Sequence, residues 1–95
     1  MDNVLSTLGL IYRARKLVLG EECLNHIEDV KYMFIASDAS DKTKERYIKK
    51  CNYYDIPYND KYSYIDLSRA LGKGNVKIIG ITDSGFTRSI QNKLK

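Results

Sequence analysis

Cysteine, histidine and proline are all scarce in this chain of 95 residues. Cys23 and Cys51 are the only cysteines, with no C-x-x-C pair and no Cys/His ligand spacing. That usage suits a reducing compartment and leaves structural zinc without a ligand set. His26 is the only histidine, so a triad or proton shuttle would have to be built on it. It lies off the centre of the Cys23, Leu24, Ile27 stripe and reads as a surface residue. No run approaches the ~20 mostly apolar residues that cross a bilayer. The apolar stretch 4–12 has no basic region before it and charge after it, the wrong order for a secretory signal. Gly72-Lys73-Gly74 is too short for a P-loop and lacks the Ser/Thr that should follow its Gly-Lys pair. These absences lead us to expect a cytoplasmic protein with no metal, no cofactor, no catalytic residues and no membrane contact.

What is present fits one compact domain over residues 1–95, with 43% hydrophobic residues and a formal charge of +4. The excess is uneven: residues 69–95 hold Arg69, Lys73, Lys77, Arg88, Lys93 and Lys95 against Asp83 alone. A basic balance favours a polyanionic partner.

Val4, Leu5, Leu8, Ile11 and Tyr12 recur at helical spacing and predict a first helix ending at Arg13 and Arg15. Leu17-Val18-Leu19 is a short strand. Cys23, Leu24, Ile27 and Val30 predict a second amphipathic helix, with Glu21 and Glu22 in its first turn where acidic side chains suit the helix dipole. Met33-Phe34-Ile35-Ala36 is a continuous apolar run, expected as a strand buried on both faces.

Ser40 or Asp41 caps a third helix carrying Tyr47, Ile48, Cys51 and Tyr54, ended near Asp55 and Pro57. A short strand follows over residues 57–60. Ser63-Tyr64-Ile65-Asp66 resembles a capping box opening a fourth helix that stops at Gly72. Residues 76–82 form the second strongly apolar strand, and Asp83 or Ser84 caps a last helix with Phe86, Ile90 and Leu94. Helices alternating with apolar strands indicate an α/β sandwich with helices on both sheet faces. Ligands in such folds gather where strands hand over to helices.

The best-equipped turn follows Leu19. Gly20 opens the second helix, where unpaired N–H groups and the dipole can receive a phosphate or a base edge, and it carries no Cβ to obstruct one. Arg13, Arg15 and Lys16 precede it and would draw a polyanion to the same surface. The charges of the third helix, Lys42, Lys44, Arg46, Lys49 and Lys50 with Asp41 and Glu45 among them, read instead as a solvated face. Of the eight tyrosines, most are accounted for by core and sheet packing, although Tyr53, Tyr54, Tyr58, Tyr62 and Tyr64 cluster in sequence. Asp38 and Asp83, each after a strand, read as turn or helix-start residues.

Leu8-Gly9-Leu10, Arg13-Ala14, Lys16-Leu17-Val18 and Gly20-Glu21-Glu22 resemble the start of the bacterial branch of the L7Ae/L30e ribosomal protein family. The likeness continues through Phe34-Ile35-Ala36-Ser37-Asp38-Ala39-Ser40, Asp66-Leu67-Ser68-Arg69-Ala70-Leu71-Gly72 and Gly80-Ile81-Thr82-Asp83-Ser84-Gly85-Phe86. It implies a three-layer α/β/α sandwich with a central mixed four-stranded sheet, and RNA binding as the activity. Well-described members hold kink-turns: the start of the second helix meets tandem sheared G·A pairs, and the loop before the final strand packs on the bulge. Those regions correspond here to residues 20–26 and 72–76. Lys16 and Gly20 match the binders' pattern. Archaeal and eukaryotic binders continue, one residue on, with Asn-Glu, where this chain has Glu22 and Cys23. Their loop is also longer and apolar, whereas Lys73-Gly74-Asn75 is short and polar.

The expected function is therefore a non-catalytic RNA-binding protein, monomeric, with ribosomal or other structured RNA as partner. Lys16 and the N–H groups from Gly20 onward would anchor phosphate or base edges. Glu21, Glu22 and Asn25 would offer polar side chains, and Lys73, Gly74 and Asn75 would close the site. The alternative is a protein-interaction module that kept the fold after losing specific RNA readout. Enzyme activity has the least support.

Overall fold

The computed structural model describes residues 2–95. In chain order it contains α1 (Asn3–Arg13), β1 (Leu17–Leu19), α2 (Glu22–Asn25), a 3-10 turn (Ile27–Asp29), β2 (Tyr32–Ile35), α3 (Asp41–Tyr53), β3 (Tyr58–Asn59), α4 (Tyr64–Leu71), β4 (Ile78–Ile81) and α5 (Ser84–Leu94). The strands form one sheet in the order β1-β4-β2-β3, with β4 antiparallel to both β1 and β2, and β3 parallel to β2.

Alternation along the strands divides the core in two. Phe34, Ile79 and Ile81 point to one face and pack with Leu8 and Ile11 of α1, Leu67 of α4 and Ile90 of α5. Met33, Ile35 and Ile78 point to the other and pack with Cys23, Val30, Tyr47 and Cys51. Helices cover both faces, so the architecture is the expected three-layer sandwich around a mixed four-stranded sheet. Both central strands, β2 and β4, are buried along their whole length.

The helix starts follow from short polar side chains that accept otherwise unpaired N–H groups. Asp2 accepts from Leu5, Ser40 from Thr43, Ser63 from Asp66 and Asp83 from Phe86. Asp38 acts at a distance, its Oδ1 accepting from the amide of Tyr64 at the start of α4. Gly72 ends α4 in the left-handed conformation, φ 67°. Five of the tyrosines, Tyr12, Tyr32, Tyr47, Tyr58 and Tyr62, pack on the two cores, while Tyr53, Tyr54 and Tyr64 are exposed.

The second helix departs from expectation. α2 lasts one turn, His26 leaves helical geometry at φ −120° and ψ 31°, and the chain tightens into the 3-10 turn before Val30 turns extended. The apolar spacing correctly marked what is buried, since Cys23 and Val30 are buried and Leu24 and Ile27 pack beside them. The helix stops early because Val30 must run straight into β2, and i→i+3 bonds from Asp29 to His26 and from Val30 to Ile27 shorten the approach. Gly80 allows this close seating: a Cβ there would stand 3.0 Å from Cys23 Sγ and 3.1 Å from Val30 Cγ2.

Candidate nucleic-acid interface

Sheet register decides what meets Gly20. Leu19 pairs with Ile79, and the Gly20 amide then donates to the Ile78 carbonyl at 3.1 Å. The loop that feeds β4 is thereby brought beside the β1–α2 turn. That loop is itself tied to α4, since Ser68 accepts through its carbonyl from the Lys73 amide and through its hydroxyl from the Val76 amide. Asn75 takes up a left-handed φ of 58° within it.

Between the two segments lies an open cleft of about 350 Å³, lined by Gly20, Glu21, Lys73, Asn75 and Lys77, with Thr43, Arg46 and Tyr47 of α3 as its third wall. Leu19, Val76 and Ile78 complete its lining. Lys73, Lys77 and Arg46 are opposed by Glu21 alone, so the cleft carries a cationic excess suited to a polyanion. Burial, and to a smaller extent the nearby Cys23 and Glu21, hold the Tyr47 phenol above its ordinary pKa.

Four of the eight residues expected from sequence line this cleft: Gly20, Glu21, Lys73 and Asn75. Gly74 is exposed at the loop's tip, outside the lining. Lys16 lies at the opposite end of β1, where its carbonyl accepts from both the amide and the hydroxyl of Thr82. Arg13 and Arg15 are exposed at that same end. Glu22 and Asn25 point along α2 and engage each other at 3.1 Å, with Glu22 also 3.3 Å from His26.

Gly20 also plays a different part from the one expected. Glu21, not Gly20, caps α2, and a helix of four residues has too few aligned peptides for the anticipated dipole to matter. What remains is local: among the described residues, no backbone acceptor faces the N–H groups of Glu21 and Glu22. Gly20 adopts φ 55°, and a Cβ there would meet nothing within 4 Å, so the position needs glycine for its backbone rather than for space.

Sequence reasoning missed Arg46, Thr43, Tyr47 and Lys77. The mixed charge of its neighbours on α3 makes Arg46 read as part of a solvated face. The only available signal was spacing: Thr43, Arg46 and Tyr47 fall three and four residues apart, one wall of a helix.

No protein-family model matches the chain. Two relatives align along most of it. The RNA-binding protein YlxQ of Enterococcus faecium is 33% identical over 97 residues, covering 99% of this chain and 93% of the relative. The RNA-binding protein YlxQ of Bacillus subtilis (strain 168) is 37% identical over 86 residues, covering 87% of this chain and 86% of the relative. Among solved structures, a protein of unknown function from Bacillus halodurans matches with a TM-score of 0.90 at 35% identity, covering 99% of this chain and 98% of that one. The Giardia lamblia 15.5kD RNA binding protein matches with a TM-score of 0.79 at 16% identity, covering 99% of this chain and 87% of that one, a likeness of fold. Identity above 30% along nearly the whole of both proteins, carried on this sandwich, shows that the chain belongs to the YlxQ family of L7Ae/L30e-type proteins.

Proposed function

We propose that this chain is a non-catalytic RNA-binding protein that holds structured RNA, of the kink-turn or ribosomal kind, by its phosphate backbone at the Gly20 cleft. The observation that carries the reading is the convergence of Lys73, Lys77 and Arg46, from two separate segments, on the glycine turn. Support comes also from the YlxQ relatives, both named as RNA-binding proteins. Cationic side chains from two segments and unpaired backbone donors suit phosphate oxygens, contacts to which position an RNA without reading its sequence. Glu22, standing where the archaeal and eukaryotic binders have a guanine reader, is engaged with Asn25 and His26. Selection for a bent RNA would then rest on how well the backbone path fits the cleft rather than on that reader.

The test is a titration of labelled kink-turn RNA, and of the same RNA with its sheared G·A pairs replaced by Watson–Crick pairs, at two salt concentrations. Tight binding confined to the intact RNA supports kink-turn recognition. Lys73→Gln with Lys77→Gln should lower affinity and flatten the salt dependence by ~0.7 to 0.9 per charge removed. Equal weak binding to both RNAs would reduce the function to backbone attraction. No binding at low salt would overturn RNA binding in favour of the protein-interaction module.

A further inference from the structure

Arg46 and Glu21 are 25 residues apart and come from different elements, yet an Arg46 guanidinium nitrogen donates to Glu21 Oε1 at 3.0 Å within the cleft. We infer that Glu21 is a built-in stand-in for a backbone phosphate: it holds Arg46 in the free protein and is exchanged for an RNA phosphodiester on binding. This rests on the phosphate-binding reading of the cleft and adds to it a residue and an order of events.

Three observations carry the inference. First, the Glu21 carboxylate is not used by its own helix. The caps of α1, α3, α4 and α5 all accept an amide through their side chains, whereas Glu21 makes no such bond and is turned to Arg46. Second, the pair is easily parted. Its side chains are 53% and 75% exposed, a setting in which ion pairs contribute little. Third, the contact engages one guanidinium nitrogen, leaving most of Arg46's five donors for a ligand. A phosphodiester next to Glu21 would face a like charge, so displacing the carboxylate removes a repulsion as it makes a contact.

Glu21→Gln keeps the shape of the side chain and weakens its hold on Arg46. RNA affinity should then rise by up to about fivefold in the wild-type background. With Arg46→Gln already present, the same change should give a clearly smaller gain, limited to the relief of repulsion between the carboxylate and the phosphodiester. An equal gain in both backgrounds, which is what removal of a remote negative charge would give, overturns the exchange. So does a loss of affinity in Glu21→Gln, which would make the carboxylate an RNA contact. A second readout needs no RNA: with arginine side chains labelled, millimolar inorganic phosphate at constant ionic strength should move the Arg46 resonance, and at lower phosphate in Glu21→Gln. If phosphate does so while every form leaves RNA unbound, the RNA reading falls and the exchange stands. If RNA binds but phosphate acts alike on both forms, the exchange falls and the RNA reading stands.

Discussion

The Gly20 amide lies 3.1 Å from the Ile78 carbonyl, one rung beyond the last residue pair of the β1–β4 ladder. This rung fixes the turn in a left-handed φ of 55°, where an added Cβ would touch nothing. Gly20→Ala is therefore a pure test of backbone cost: it should lower stability by about 1 kcal/mol, and Gly20→Asn by less, because asparagine tolerates that region. Urea unfolding of the two variants checks the order.

Gly9 presents the opposite case. It lies inside α1, where glycine-to-alanine exchange ordinarily stabilises by about 1 kcal/mol. A Cβ there would stand 2.8 Å from the backbone carbonyl oxygen of Ala70, so α1 and α4 must separate to admit it. Gly9→Ala should destabilise by roughly 1 to 3 kcal/mol, reversing the usual sign. Gly74→Ala, with open space around it, is the control.

Most of the fold was legible because its signals are local. Apolar runs marked β2 and β4, and capping residues placed the starts of α3, α4 and α5 within a residue. The second helix was misjudged because apolar spacing reports burial, and a one-turn helix followed by a 3-10 turn buries nearly the same positions as a longer helix. Gly20, Glu21, Lys73 and Asn75 line one cleft, and the loops that carry them were legible in the sequence. The place of Arg46 in that cleft was not legible, since it depends on α3 crossing beside Glu21, a pairing across 25 residues that no local pattern encodes.

Burial pushes the Cys23 thiol up to about 12, with Cys51 adding to the effect, and burial alone raises Cys51 to about 11. Both stay protonated in the fold at pH values where the unfolded chain ionises. Their contribution to stability is whole below the ordinary thiol value of 9.0 and is lost as pH rises towards 11 and 12. Unfolding free energy should thus fall between pH 9 and 11. Reaction with a thiol reagent at pH 8 should be far slower in the native protein than in denaturant.

Thr87 is 7% exposed, and its hydroxyl has no hydrogen-bond partner among the described residues. Thr87→Val keeps the branched shape and removes the unsatisfied group, so it should stabilise the protein by about 1 kcal/mol. A midpoint that falls on thermal unfolding would show that the hydroxyl is satisfied in solution.

Lys16 and Lys73 sit at opposite ends of the β1–β4 pair, and only Lys73 lines the cleft. Lys73→Gln should weaken RNA binding more than Lys16→Gln at the same salt concentration. A larger effect at Lys16 would shift the RNA path to the Arg13 and Arg15 end of the strand.

The outermost strands of the sheet are its shortest, three residues in β1 and two in β3. Aggregation by strand addition needs a run of unpaired backbone donors and acceptors along a sheet margin, and these margins offer an incoming chain almost no template. The long apolar strands, which would recruit such a chain most readily, are enclosed between them. The short margins thus leave an incoming strand little to pair with, while the turn at the end of β1 remains open to solvent.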